Sequence, residues 1–162
     1  MPVIIVEDLS RIDDNIQLAD QRPYWGTNNQ PAAGAGLFSL VRLANVAQAD
    51  SKQNKIVVVD RITVNVAGSN WGMLIQAVGG GSFSGWNRDS RYVPIQGSLA
   101  LLDAATPAVS PQKQIEMPST LVQLEQAGIV LSAGFELAVV ASVANIGITV
   151  GFMWREFDTI VK

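Results

Sequence analysis

The chain has 162 residues, 48 % of them hydrophobic and only 15 % charged, with a net formal charge of −3 and neither histidine nor cysteine. That length suits one domain with a sizeable core. The two absences exclude thiol nucleophiles, Ser-His-Asp triads, disulfide frameworks and most zinc sites. No cluster of lysine or arginine is present to bind nucleic acid by counterion release.

Residues 1–36 differ from the rest. They hold Glu7, Asp8, Asp13, Asp14 and Asp20 against Arg11 and Arg22, whereas residues 37–162 hold nine acidic and nine basic side chains. The apolar run Val3–Val6 is short and leads into acids, so it does not read as a secretory signal. Ser10–Ala19 has the spacing of a short helix, with Ile12, Ile16 and Ala19 on one side. Asp13 and Asp14 fit the start of that helix better than a calcium loop, whose ligand positions they do not match. Pro2, Pro23, Pro31, the Asn28-Asn29 pair and Gly34-Ala35-Gly36 predict an extended arm over residues 1–36, packed along its own body or along a neighbour. Tyr24 and Trp25 fall in a loop-like context there.

The body, residues 37–162, reads as short strands. Leu37–Val46 predicts one, with Phe38, Leu40 and Arg42 on one side. Ile56–Ala67 alternates most clearly, and the turn Gly68-Ser69-Asn70 leads to Trp71–Val78, which predicts a hairpin over Ile56–Val78. Asp60 shares the parity of Val58 and Ile62, so it is expected on the core side with Arg42 or Arg155 as its partner. Gly79–Asn87 is a glycine-rich loop. It lacks the lysine and helix of a phosphate-binding loop and the βαβ context of a dinucleotide fingerprint. Tyr92–Ile95, Gly97–Leu102, Leu121–Leu124, Ile129–Leu131, Phe135–Ala141 and Ile148–Phe157 complete the strands, with a polar connection over Pro107–Pro118. Leu137–Trp154 is uncharged and long enough to weigh as a membrane span. The alternation of Ile148, Val150, Phe152 and Trp154 instead predicts two adjacent strands turning near Asn145-Ile146-Gly147. Many short strands, no repeat and almost no helical periodicity predict an all-β chain, an antiparallel β-sandwich or barrel, with an extended N-terminal arm.

Trp71 begins a strand and is expected in the core. Tyr24, Trp25, Phe83, Trp86, Arg88, Arg91 and Tyr92 combine aromatic faces with hydrogen-bond donors and are the expected partner contacts. The body acids are scattered and read as solvated surface groups, with Glu156 and Asp158 the one local pair. No catalytic, cofactor-binding or metal-binding residue is predicted, and the chain reads as a non-enzyme.

Ile129-Val130-Leu131-Ser132-Ala133-Gly134-Phe135-Glu136-Leu137-Ala138-Val139, a short turn, and Ile148-Thr149-Val150-Gly151-Phe152-Met153-Trp154-Arg155-Glu156 together resemble the closing hairpin of small virion proteins of tailed bacteriophages, particularly jelly-roll head-decoration (cement) proteins. The resemblance covers about 30 residues of the sequence. It implies a jelly-roll-like β-sandwich subunit, commonly trimeric, that sits on the capsid surface of the virion and contacts the major capsid protein or other virion subunits; no cofactor, nucleic acid or membrane is expected as a partner. A low-charge body suits life inside an assembly. The alternatives are another neck, tail or fibre-attachment protein, or a carbohydrate-binding β-sandwich module using Trp86 and Tyr92. An enzyme on a jelly roll usually carries metal-binding histidines, and this chain has none.

Overall fold

Runs of aliphatic and β-branched residues, punctuated by glycine and proline, fold as ten strands in a computed structural model that describes residues 23–32, 34–46, 55–78, 93–94, 98 and 100–158. They are β1 (Tyr24–Gln30), β2 (Leu40–Asn45), β3 (Lys55–Val66), β4 (Trp71–Ala77), β5 (Val93–Pro94), β6 (Ala100–Ala105), β7 (Ile115–Met117), β8 (Gln123–Leu131), β9 (Phe135–Ala141) and β10 (Ile148–Asp158). Every pairing is antiparallel. A four-stranded sheet in the order β1-β10-β3-β8 faces a six-stranded sheet in the order β5-β6-β2-β9-β4-β7. Successive strands from β1 to β4, and again from β7 to β10, alternate between the sheets, which is the wrapping of a jelly roll.

This alternation corrects two expectations. Ile56–Val78 is not a hairpin, because β3 pairs with β10 and β8 while β4 pairs with β9 and β7. The closing hairpin is not one either: β9 lies in the six-stranded sheet and β10 in the other. In both places the turn carries the chain from one sheet of the sandwich to the other. Tyr24 and Trp25 are also not in a loop. They open β1, which pairs with β10 from Tyr24↔Trp154 to Gln30↔Ile148. Residues 24–30 of the expected arm are therefore the edge strand of the sandwich. The helix expected over Ser10–Ala19 lies outside the described residues.

The core forms where inward positions of the two sheets meet. Val57, Val59, Ile62 and Val64 of β3 and Ile148, Val150, Phe152 and Trp154 of β10 pack against Val41 and Leu43 of β2, Leu102 of β6 and Leu137 and Val139 of β9. Trp71 and Trp154 are the largest fully buried side chains. Trp71 sits in the core as expected, its indole N–H donating to the Leu121 carbonyl at 2.9 Å. Trp154 stacks on Tyr24 with ring centroids 6.0 Å apart and donates to Glu156 Oε1 at 3.2 Å. Gly134, at φ 87°, closes the three-residue crossing from β8 to β9, a backbone conformation that favours glycine.

A β-bulge decides where Asp60 points. Trp154 pairs with Val59 and Met153 with Arg61, so Asp60 is the extra residue and side-chain parity flips across it. Val57 and Val59 face inward before the bulge, Ile62, Val64 and Val66 after it. Asp60 accordingly faces outward rather than toward the core. Its partner is Arg155, whose Nε and Nη2 donate to the carboxylate at 2.7 and 2.9 Å. The hydrogen bond to Asp60 holds the Arg155 guanidinium above its ordinary pKa. The stability this adds through Arg155 is lost only as pH rises through that raised value. Opposite the bulge, Gln126 and Gly128 adopt positive φ, and the two short strands expected at Leu121–Leu124 and Ile129–Leu131 run on as the single irregular strand β8.

Candidate binding surfaces

The two outer faces of the sandwich differ. On the six-stranded sheet, β2 is buried at every position and β9 at all but its first. The outward residues Leu40, Leu74, Ala105, Ala138 and Val140 form a second apolar cluster with Phe38. Beside it runs a polar row contributed by four strands. Arg42 of β2 donates to Asp103 of β6 through Nε at 2.8 Å and through Nη2, and to Glu136 of β9 through Nη1 at 3.1 and 3.2 Å. Gln76 of β4 donates to Glu136 Oε1 at 2.6 Å. Arg42, Asp103 and Glu136 are all 0 % exposed. Breaking such a buried pair by removing one partner is costly, because it leaves the other charge uncompensated. The apolar cluster and the charged row on this face are buried. That burial also corrects the reading of the body acids as solvated. Asp103 and Glu136 are fully buried, and Glu156 accepts from Ser98 Oγ, from the Ala100 amide at 3.3 Å and from Trp154, with Lys55 Nζ 3.7 Å away.

The four-stranded sheet presents an open face. Its outward rows run straight across the strands: Thr27, Gly151 and Thr63 in one, Trp25, Met153 and Arg61 in the next. Gly151 contributes no side chain, so the middle of the face is a notch between the two threonines. A Cβ there would stand 3.4 Å from Thr27 Oγ1 and 3.8 Å from Thr63 Cβ. A groove of about 320 Å³ follows, floored by Gly151 and Met153 and walled by Trp25 and Arg61. A second hollow, about 480 Å³, continues over the bulge and shares Arg61 and Met153 with the first. The charges lining both are internally matched. Arg61 donates to Glu125 at 3.2 Å, and Arg155 pairs with Asp60 while lying 5.2 Å from the centre of the Phe157 ring.

One side of the sandwich is an apolar edge. β7 ends the six-stranded sheet and β8 ends the four-stranded one, and a turn closed by the Leu121 amide on the Pro118 carbonyl at 3.0 Å joins them. Ile115, Val122 and Val130 are 50–55 % exposed along these two strand ends. β7 is held close by Gly72, where a Cβ would meet the Lys113 stem and come within 2.8 Å of the Ile115 carbonyl oxygen. Beyond the end of β7, Gln114 extends the ladder by accepting from the Ile75 amide at 2.9 Å and donating to its carbonyl at 3.3 Å. Gly72→Ala should force β7 away from β4 and cost about 1–3 kcal/mol. Chemical denaturation checks the loss, and faster amide exchange confined to β7 checks its location.

Of the expected contact residues, neighbours Tyr24 and Trp25 point to opposite sides of β1. Tyr24 turns inward onto Trp154, so its ring serves the core, whereas Trp25 is 72 % exposed at the groove. Phe83, Trp86, Arg88, Arg91 and Tyr92 lie outside the described residues, as does the glycine-rich loop. Sequence reasoning missed the notch at Gly151, the threonines beside it and the role of Arg61. Thr63 and Asn65 share one face of β3, and Thr149 and Gly151 one face of β10, but nothing in the sequence says that the two strands adjoin. Among the described residues, no group of three or more acidic side chains is placed to hold a metal ion, and no helix is long and apolar enough to cross a membrane. No family model matches the sequence, and no curated protein or solved structure matches it significantly.

Proposed function

We propose that this chain is a non-enzymatic structural subunit of a virion, a capsid decoration protein that binds the outside of a phage head and stabilises it. The observation that carries this reading is the β7–β8 edge, where Ile115, Val122 and Val130 stand half exposed on the outermost strands of the two sheets among the described residues. Exposed apolar strand edges associate unless something covers them. On a body with little net charge to keep copies apart, that edge suits contact with further copies, a trimer being the expected form. The jelly-roll wrapping and the wholly β architecture agree with the same class. Many weak contacts repeated over a shell then stabilise it through apolar burial and multivalency.

The test is co-sedimentation of the full chain with heads of its phage purified without it. Saturation at a fixed number of copies per head, with a rise in the temperature at which the heads rupture, is the expected result. Heads that leave the chain in the supernatant overturn the reading. Bridging by residues 1–36 belongs to the same proposal, but deleting all of them would also strip β1 from β10 and uncover Trp154.

A further inference from the structure

We infer that the groove over Gly151 on the outer face of the four-stranded sheet is a binding site for a neutral oligosaccharide. This goes beyond the assembly reading and does not rest on it, since the β7–β8 edge and the groove use different residues.

Three observations converge on the ligand class. The first is Trp25, a large aromatic side chain left 72 % exposed on an edge strand at the rim of the groove. The electron-rich face of an indole attracts the weakly positive C–H face of a pyranose ring. The second is the chemistry beside it: Thr27, Thr63 and Asn65 supply hydroxyl and amide groups that both donate and accept, and Thr149, whose hydroxyl donates to Asn29 Oδ1 at 3.0 Å, still accepts. Such groups match the vicinal hydroxyls of a sugar, each of which also does both. The third is charge. Arg61 is engaged by Glu125 and Arg155 by Asp60, so the two hollows together carry no net charge. A phosphate, a nucleic acid or an acidic peptide would meet a carboxylate beside each guanidinium, whereas a neutral polyol is met by paired groups whose remaining donors and acceptors it can use.

The missing side chain at Gly151 sets the shape. It lets a flat ring settle between Thr27 and Thr63 while one face rests against Trp25. The continuation of the groove over the bulge, through the shared Arg61 and Met153, gives it a length of about three strand spacings, roughly 14 Å. A chain of sugar units suits that length better than a monosaccharide does.

The experiment uses the full chain and a panel of neutral linear tetrasaccharides built from glucose, mannose, galactose or N-acetylglucosamine. It reads tryptophan fluorescence and isothermal titration heat. At least one member of the panel should bind with millimolar or better affinity and shift the emission, and high salt should not weaken it. Trp25→Ala should weaken that binding about tenfold or more, and Gly151→Val should abolish it by filling the notch. Valine is favoured in strands, and an unchanged melting temperature shows that the fold survives both substitutions. Three results overturn the inference: no saccharide of the panel binds, Trp25→Ala binds as well as the parent, or Trp86→Ala removes binding that Trp25→Ala leaves intact. The last places the site on the glycine-rich loop.

Discussion

Arg42→Met should destabilise the fold by about 3–5 kcal/mol, because it removes the guanidinium that lies between two fully buried carboxylates. Methionine fills most of the arginine stem's volume, so a cavity is not the main cause. The loss comes from leaving Asp103 and Glu136 without the cation they share, on a sheet face where water does not reach them. For a chain of this length, each kcal/mol moves the melting midpoint by about 2–4 °C, so a fall of about 6–20 °C is expected in calorimetry. Combining Arg42→Met with Asp103→Asn and Glu136→Gln should recover part of the loss, since neutral amides cost less to bury than carboxylates. A single-variant loss below about 1 kcal/mol would mean that the face opens to solvent.

Trp154→Ala should be of similar size, about 3–5 kcal/mol. Trp154 is wholly buried in the central strand pair, carries the stacked Tyr24 ring of β1, and hydrogen-bonds Glu156. Its removal opens a cavity under the edge strand and takes one donor from a buried acid. Trp154→Phe separates these effects. It keeps an aromatic surface for Tyr24 and loses the N–H, so it should cost less, about 1–2 kcal/mol of hydrogen-bond loss plus the smaller ring. Equilibrium denaturation of the three proteins gives the ranking, and equal losses for alanine and phenylalanine would assign the effect to Glu156 rather than to packing.

The inside of this sandwich was legible in the sequence because alternation is local. Ile148, Val150, Phe152 and Trp154 declare an inward row whatever they pair with, and the apolar run Phe135–Ala141 coincides with β9. Partnership between strands is not local. The short turns after Val66 and Ala141 look like hairpin turns, yet each takes the chain to the other sheet, and nothing in their four and six residues distinguishes the two outcomes. The bulge was hidden for a related reason. One extra residue at Asp60 reverses every side chain on one side of it, and a parity argument carried through it points Asp60 the wrong way.

The binding surfaces follow the same division. Trp25 could be singled out as an unusual aromatic in a polar stretch. Gly151 becomes a notch only once Thr27 and Thr63, each many residues away in the chain, are set beside it by register. The buried row left a trace that could have been read: β2, β6 and β9 are apolar strands that each carry one charged residue, Arg42, Asp103 and Glu136. Isolated charges in strands buried on both faces need one another, and the three together predict that their strands adjoin.

The central claim is that copies of this chain associate through the β7–β8 edge, and the mass of the full protein in solution tests it most directly. Light scattering over a concentration series should give a trimer, and placing charges on the edge by Val122→Lys together with Val130→Lys should return it to a folded monomer. A parent chain that stays monomeric at every concentration, or a trimer that the two lysines leave intact, would contradict the account.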